Sequence, residues 1–279
     1  MNNNPQISVV MPMYNASTYL HETLESIFQQ TFTSFELLIV DDGSTDNSIE
    51  IVKNYHDRRI CLITNTHDFI SSLNKGIEAA KGKYIARMDA DDLMLPHRLE
   101  TQFQFMELHP DIDVCGSWTK SFGEREYVMQ RPVEHVDIIS SMLQMNPIMH
   151  PTVIMRRSKF HPSSCLYQYG YPCAEDYKLW TDLTLQGFKF ANIPEPLLRY
   201  RISQQQVTRA SQDDMLVSSI KIGLEYAEAV MGKMVEKEEQ YVDLFNSLTQ
   251  LYNNELLCHD TLLHTVYTLY RNFLNRITV

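Results

Sequence analysis

The chain has 279 residues, 44% of them apolar and 10% aromatic, with a formal net charge of −11 and a pI near 5.3. That is enough apolar material for a substantial core, and an acidic balance without a Lys/Arg block excludes a nucleic-acid backbone as principal partner. Any anionic ligand therefore needs a local device, such as a metal ion. Five cysteines (Cys61, Cys115, Cys165, Cys173 and Cys258) are scattered, odd in number and without C-x-x-C spacing, as reduced thiols are and disulfide frameworks or zinc sites are not. The start "MNNNPQISVVMP" lacks a charged region followed by a long apolar one, and no apolar run approaches the roughly 20 residues that span a bilayer. A cytoplasmic protein is expected.

In chain order, apolar runs alternate with helical patterns. "ISVVMPMYN" reads as a strand ending at Asn15, followed by a helix with Tyr19, Leu20, Leu24, Ile27 and Phe28 at helical spacing. "FELLIVDDGSTD" is a second strand whose apolar stretch stops at Asp41, and Asn47 with Glu50 predicts a capping box opening the helix "IEIVKNYH". The strand "RICLITN" precedes a helix from about Ile70 to Ala79, and Gly82 separates that helix from the strand "KYIARMDADD". Strands separated by helices predict βαβ units and a mostly parallel sheet. Further on, "DIDVCGSW" and "HPTVIMRRS" are candidate strands, "AEDYKLWTDLTLQG" is a helix closed by Gly187, and "PLLRYRIS" is a strand. It places Leu198, Tyr200 and Ile202 on one face and Arg199, Arg201 and Ser203 on the other. From about Gln212 amphipathic helices run to the end, with stripes Ile220, Leu224, Ala227, Met231, then Val242, Phe245, Leu248, Tyr252, then Leu262, Val266, Leu269, Phe273.

The acids share an address. Ligands of open α/β sheets sit outside the carboxyl ends of the strands, and Asn15, Asp41, Asp42, Asp89, Asp91 and Asp92 all follow inferred strands. On an extended segment Asp89 and Asp91 point the same way, which suits a hard divalent cation, Mg²⁺ or Mn²⁺, able to offset the charge of a nucleotide diphosphate. The alternative is a solvated turn with Asp92 capping the next helix. In "VDDGSTD", Gly43 permits a turn and Ser44 to Asn47 suit a helix cap, but capping leaves Asp41 and Asp42 unexplained; acids there can accept hydrogen bonds from a base or ribose.

"ISVVMPMYNASTYLHETLESIFQQTFTSFELLIVDDGSTD", "LNKGIEAAKGKYIARMDADD" and "AEDYKLW" together resemble family 2 inverting glycosyltransferases, across about Ile7 to Thr208. The resemblance implies a GT-A fold, Rossmann-like with a mostly parallel sheet flanked by helices, over residues 1–210; the helical C-terminal extension over 211–279 is read from the amphipathic pattern and lies outside it. It implies that Pro12, Tyr14, Asp41 and Asp42 hold nucleobase and ribose, that Asn74 lies in the matching nucleotide segment, and that Asp89 and Asp91 form the D-x-D motif. There Asp91 binds metal, and Asp89 reaches the ribose or the metal shell. Asp176 matches the general base and Glu175 its neighbour. Many relatives carry a histidine metal ligand where this chain has Ser203; water, donor phosphate or Gln205 are the substitutes. Arg199 and Arg201 share a face that meets either diphosphate or solvent, and Arg201 is retained as a nucleotide-site candidate, as is Asn15. His150, Arg156 and Arg157 lie where acceptors approach in this family, although a lone histidine is more often packed.

The expected activity is transfer of a sugar, with inversion, from a nucleotide-diphosphate donor, a UDP-sugar foremost, to a hydroxyl of a glycan or lipid-linked acceptor in surface-polysaccharide synthesis. A dinucleotide-binding oxidoreductase would need a Gly-rich turn after the first strand, and "MPMYNAS" has no glycine. The remaining rival is a catalytically silent nucleotide-sugar-binding module. The C-terminal helices carry few basic residues near the end, Arg271 and Arg276, so peripheral attachment to a membrane by charge is weak, and pairing with a second copy is the other role they suit.

Overall fold

The computed structural model describes residues 4–160, 166–203 and 211–277. Strand β1 (Ile7–Met13) is buried at every position and lies between β2 (Phe35–Asp41) and β4 (Tyr84–Arg87), with β3 (Ile60–Thr64) beyond β2; all four are parallel. Both faces are covered, which is why these strands read as continuous apolar runs. Ile7, Val9, Met11 and Met13 pack with Leu20, Leu24 and Ile27 of α1 (Leu20–Phe28) and with Leu99 and Met106 of α4 (Arg98–Leu108). Val10 points the other way, to Leu73 and Ile77 of α3 (Phe69–Ala79). Gly76 makes that approach possible, since a Cβ there would stand 2.2 Å from Val10 Cγ1.

Past β4 the sheet becomes mixed. β8 (Ile154–Arg156) is antiparallel to β4 and to β6 (Val114–Gly123), and β9 (Phe190–Ile202) runs parallel to β6. β5 (Leu93–Met94) closes the edge on β9, and β7 (Val128–Met129) pairs off β6. The helices α2 (Ser48–Asn54), α5 (His135–Ser141) and α6 (Glu175–Leu185) complete the flanking layers.

Three C-terminal helices follow: α7 (Gln212–Lys237), α8 (Val242–Asn253) and α9 (His259–Ile277). Ile222, Tyr226 and Val230 of α7 and Leu262, Val266 and Phe273 of α9 belong to the same apolar cluster as Trp180 and Leu183 of α6, so these helices cover the core beneath α6. Each such buried side chain contributes about 1.5–3 kcal/mol. Among the described residues, no helix is long and apolar enough to cross a membrane.

Several local expectations are corrected. The buried stripe of α7 runs through Ile222, Tyr226, Val230 and Met234 with the expected Ala227, while Ile220, Leu224 and Met231 are only partly buried, because α6 and α9 cover a face rotated from the one the local pattern favours. Asn47 makes no side-chain cap; Asp46 Oδ1 accepts from Ser48 N–H at 3.0 Å instead. β4 ends at Arg87 because its neighbour β1 pairs only through Val10 and β8 only through Ala86, so residues 90 and 91 form a turn rather than an extended segment. Asp92 is fully buried rather than capping α4.

Candidate active site

The carboxyl ends of the parallel neighbours β2, β1 and β4 lie side by side, where open α/β sheets hold their ligands. Pro12 sits in β1 beyond the last β1–β4 pair, Val10 with Arg87, so its missing N–H interrupts no bond to β4. Tyr14 follows, 46% exposed, with its ring centroid 4.3 Å from that of His67. Asn15 adopts φ 47°, and its Oδ1 accepts from Thr45 N–H at 2.8 Å and Asp46 N–H at 3.3 Å; it ties the loop after β1 to the loop after β2.

The two acids after β2 have different duties. Asp42 Oδ1 accepts from Asp68 N–H at 2.7 Å, Ser72 Oγ at 2.8 Å and Asn65 Nδ2 at 3.1 Å, so this carboxylate organises the start of α3. Among the described residues the Asp41 carboxylate meets only Ser44 N–H, at 3.3 and 3.4 Å. Of the pair, Asp41 keeps the greater capacity to accept from a ligand.

One carboxylate oxygen from each of Asp89, Asp91 and Asp92 lies within 4.8 Å of the others. The turn after β4 brings them together. Burial, then the charge of Asp89, pushes Asp91 up to about 6. Burial, followed by Asp89 and Asp91, holds Asp92 well above the usual carboxylate range. Asp92 Oδ1 accepts from Arg201 N–H at 2.8 Å, and Oδ2 has no partner among the described residues. Arg201 is a clamp on this turn: its Nε donates to the Asp91 carbonyl at 2.7 Å and its Nη2 to Glu22 Oε1 at 2.6 Å, while its guanidinium lies 4.0 Å from the Tyr19 ring centroid. Arg98 supports the turn from inside, donating from Nη2 to the Arg87 carbonyl at 2.8 Å.

Arg87, unremarked in the sequence, lies beneath this cluster. It is 5% exposed, and its Nη2 is 2.5 Å from Asp89 Oδ1. The charges of Asp89, in the D-A-D turn, and of Glu175, in the first turn of α6, both raise its pKa against the effect of burial.

Ala174 caps α6 without a side-chain bond, leaving Glu175 and Asp176 in the first turn, where the helix dipole favours negative charge. Asp176 Oδ2 accepts from Asn146 Nδ2 at 2.7 Å and Oδ1 from Tyr177 N–H at 2.7 Å. Burial raises its pKa, and those two bonds oppose the rise. Burial, then the charge of Asp176, pushes Glu175 up to about 7. Burial thus raises both adjacent acids, and the Asn146 hydrogen bond opposes the rise at Asp176. His150 is buried, with Nε2 2.7 Å from the Tyr167 hydroxyl and its ring edge-on to Trp180; burial holds its pKa well below the usual histidine range. Both ends of the Asn74 amide bind the Tyr167 main chain, at 3.0 and 2.9 Å, so Asn74 positions the segment carrying that hydroxyl.

Arg156 and Arg157 fall outside this site. Arg156 pairs with Tyr84 at the start of β4 and donates to the Ile112 carbonyl, and Arg157 Nε donates to the Gly82 carbonyl, at the opposite ends of the strands. Arg199 is exposed on β9, with its guanidinium 4.5 Å from the Phe122 ring centroid. Ser203 follows the last residue of β9, two positions from Arg201; Gln205 and Cys165 lie outside the described residues. Asn146, Tyr167 and Arg87 are the site residues that sequence reasoning missed. The only signal was for Arg87, a charge inside an otherwise apolar strand.

The carboxylates of Asp89 and Asp91 are hard oxygen donors beside a third acid, a set that fits Mg²⁺ or Mn²⁺ and not a soft metal. Residues 8–161 match the profile of glycosyl transferase family 2. An uncharacterized glycosyltransferase of Haemophilus influenzae is 33% identical over 249 residues, covering 84% of this chain and 77% of its own. The Escherichia coli UDP-Glc:alpha-D-GlcNAc-diphosphoundecaprenol beta-1,3-glucosyltransferase WfaP is 29% identical over 206 residues, covering 72% of this chain and 79% of its own. Among solved structures, S. aureus TarS 1-349 in complex with UDP-GlcNAc superposes with a TM-score of 0.67 at 20% identity, covering 81% of this chain and 66% of that one. A family profile spanning more than half of the sequence, and a relative matched along most of both chains, place this protein in glycosyl transferase family 2 as a glycosyltransferase of GT-A-like fold.

Proposed function

We propose that the protein transfers a sugar, with inversion, from a nucleotide-diphosphate sugar, of which a UDP-sugar is the first choice, to a hydroxyl of a glycan or lipid-linked acceptor in cell-surface polysaccharide synthesis. What supports this most is the family membership together with two acid groups whose charge reaches buried Arg87: Asp89, ion-paired with it at 2.5 Å, and the Glu175–Asp176 pair. The similarity to a glucosyltransferase whose name specifies a UDP-Glc donor and a diphosphoundecaprenol-linked acceptor supports the choice of donor and acceptor.

In this reading Tyr14 and Asp41 hold the nucleoside, Pro12 and Asn15 shape the loop under it, and Asp42, Asn74 and Arg201 position the segments around it. Asp89 and Asp91 hold a divalent cation, which supplies neutralisation of the departing diphosphate. Asp176 takes the acceptor hydroxyl proton as that oxygen attacks the anomeric carbon from the face opposite the diphosphate. The bond from the anomeric carbon to the diphosphate oxygen breaks, and its electron pair leaves on the diphosphate. Each Asp176 oxygen accepts one hydrogen bond and retains a second lone pair for this work. Residues 1–210 act as the catalytic unit, and the helices of 211–279 cover its core, with a place at the inner face of the membrane set by a lipid-linked acceptor.

The test is thermal-shift screening of nucleotide sugars with and without Mn²⁺, followed by a transfer assay on undecaprenyl-diphosphate-linked acceptors with NMR of the product anomer. A ligand that binds only the folded state raises the melting temperature. Stabilisation by a UDP-sugar that requires Mn²⁺, with an inverted product, is expected; a retained configuration or no nucleotide-sugar response refutes the reading.

A further inference from the structure

Arg87 poses a problem that the reaction as written does not solve. Its guanidinium is buried, remains charged at any pH the protein meets, and meets no hydrogen-bond partner at Nε or Nη1 among the described residues. Among the described residues its one ion pair is with Asp89, at 2.5 Å. A buried charge so poorly satisfied is costly, so a compensating role is expected. The charge that reaches it is a surplus of acid: Asp89, whose carboxylate lies within 4.8 Å of those of Asp91 and Asp92, and the Glu175–Asp176 pair.

Resting on the metal-assisted reading above, we propose that Arg87 is an internal counter-ion of the acidic cluster: it holds Asp89 from the buried side and weakens the cluster's affinity for a free divalent cation. Three carboxylates that close, with no fixed cation, form a strong divalent site. A fixed positive charge bonded to one of them repels a divalent ion through the protein interior, an effect of roughly tenfold or more in affinity at this range. A nucleoside diphosphate brings negative charge that offsets Arg87, so the cation is retained chiefly together with the donor. A purely structural Arg87 predicts the opposite sign, because losing the group that orients a metal ligand typically lowers affinity by about 10- to 100-fold.

The test is calorimetric titration of the whole chain with MnCl₂, alone and with saturating UDP, for the wild type, Arg87→Met and Arg87→Lys. Arg87→Met is expected to bind Mn²⁺ alone at least about tenfold more tightly than the wild type, and Arg87→Lys, which keeps the charge, to remain within about threefold. The difference narrows when UDP is present. Should Arg87→Met fail to fold, Arg87→Gln, which keeps a donor for Asp89 but no charge, makes the same comparison. Mn²⁺ affinity that is unchanged or weaker in the folded neutral variants overturns the role of Arg87 alone. A wild type that binds no Mn²⁺ with or without UDP overturns the metal-assisted reading and this inference with it.

Discussion

Glu175→Gln should make the protein's stability less sensitive to pH. Glu175 stands in the first turn of α6, where burial and then the Asp176 charge lift its pKa from the ordinary 4.5 to about 7, with Arg87 opposing. The folded state therefore holds this proton to a higher pH than the unfolded chain does. Between those two values the native protein binds more protons, so its stability falls as pH rises; the contribution is intact below the unfolded pKa and lost by the time pH passes the folded one. The full difference is about 3 kcal/mol, of which about 2–3 kcal/mol falls between pH 5 and 8. Glutamine is the neutral counterpart of the protonated acid and carries no such loss. The variant's advantage over the wild type should grow by that amount across the interval, and a chain of this size gains about 2–4 °C in melting temperature per kcal/mol, hence about 5–10 °C. Scanning calorimetry of both proteins without ligand at pH 5, 6, 7 and 8 measures it. A melting difference that stays constant with pH means that Glu175 titrates as an exposed carboxylate and refutes the reasoning.

The remaining predictions concern the reaction and its ligands. Asp176→Asn should lose about 10²- to 10⁴-fold in transfer rate while keeping donor affinity, and Glu175→Gln should lose less; steady-state assays showing the reverse order would make Glu175 the base. Asp91→Asn should abolish Mn²⁺-dependent binding of UDP, because a neutral amide is a poorer partner for a hard cation, and calorimetry with unchanged metal dependence would remove Asp91 from the site. Asn74→Ala removes two hydrogen bonds to the Tyr167 main chain and should cost about 1–3 kcal/mol in urea unfolding, with UDP affinity changed by less than about threefold if its role is positioning.

Part of this was legible in the residues. β1 and β2 read correctly because a strand covered on both faces must be apolar along its whole length, and each run stops where polar residues begin the loop beyond it. The three acids after β4 were visible because clustered charge directly after a buried run has no cheap structural reason. The division of labour among them was not. Whether Asp41 or Asp42 is available to a ligand depends on Ser72 and Asp68, 30 and 26 residues further on, which take Asp42. Asn74 is engaged by Tyr167, 93 residues away, and Arg201 by Asp91, 110 residues back.

The sequence by itself determined the first four strands and the three helices between them, their parallel direction and the address of the acids, since these follow from local periodicity and from the rule that strand ends open on a crevice. It also carried the family. Only the tertiary structure decided which face of α7 is buried, that the D-A-D acids converge through a turn, and that Arg87 is buried against Asp89 and within reach of the Glu175 charge. A residue's neighbours along the chain set its backbone preference, but its burial, its hydrogen-bond partners and the charge it feels are set by elements that reach it only when the sheet and helices close around it.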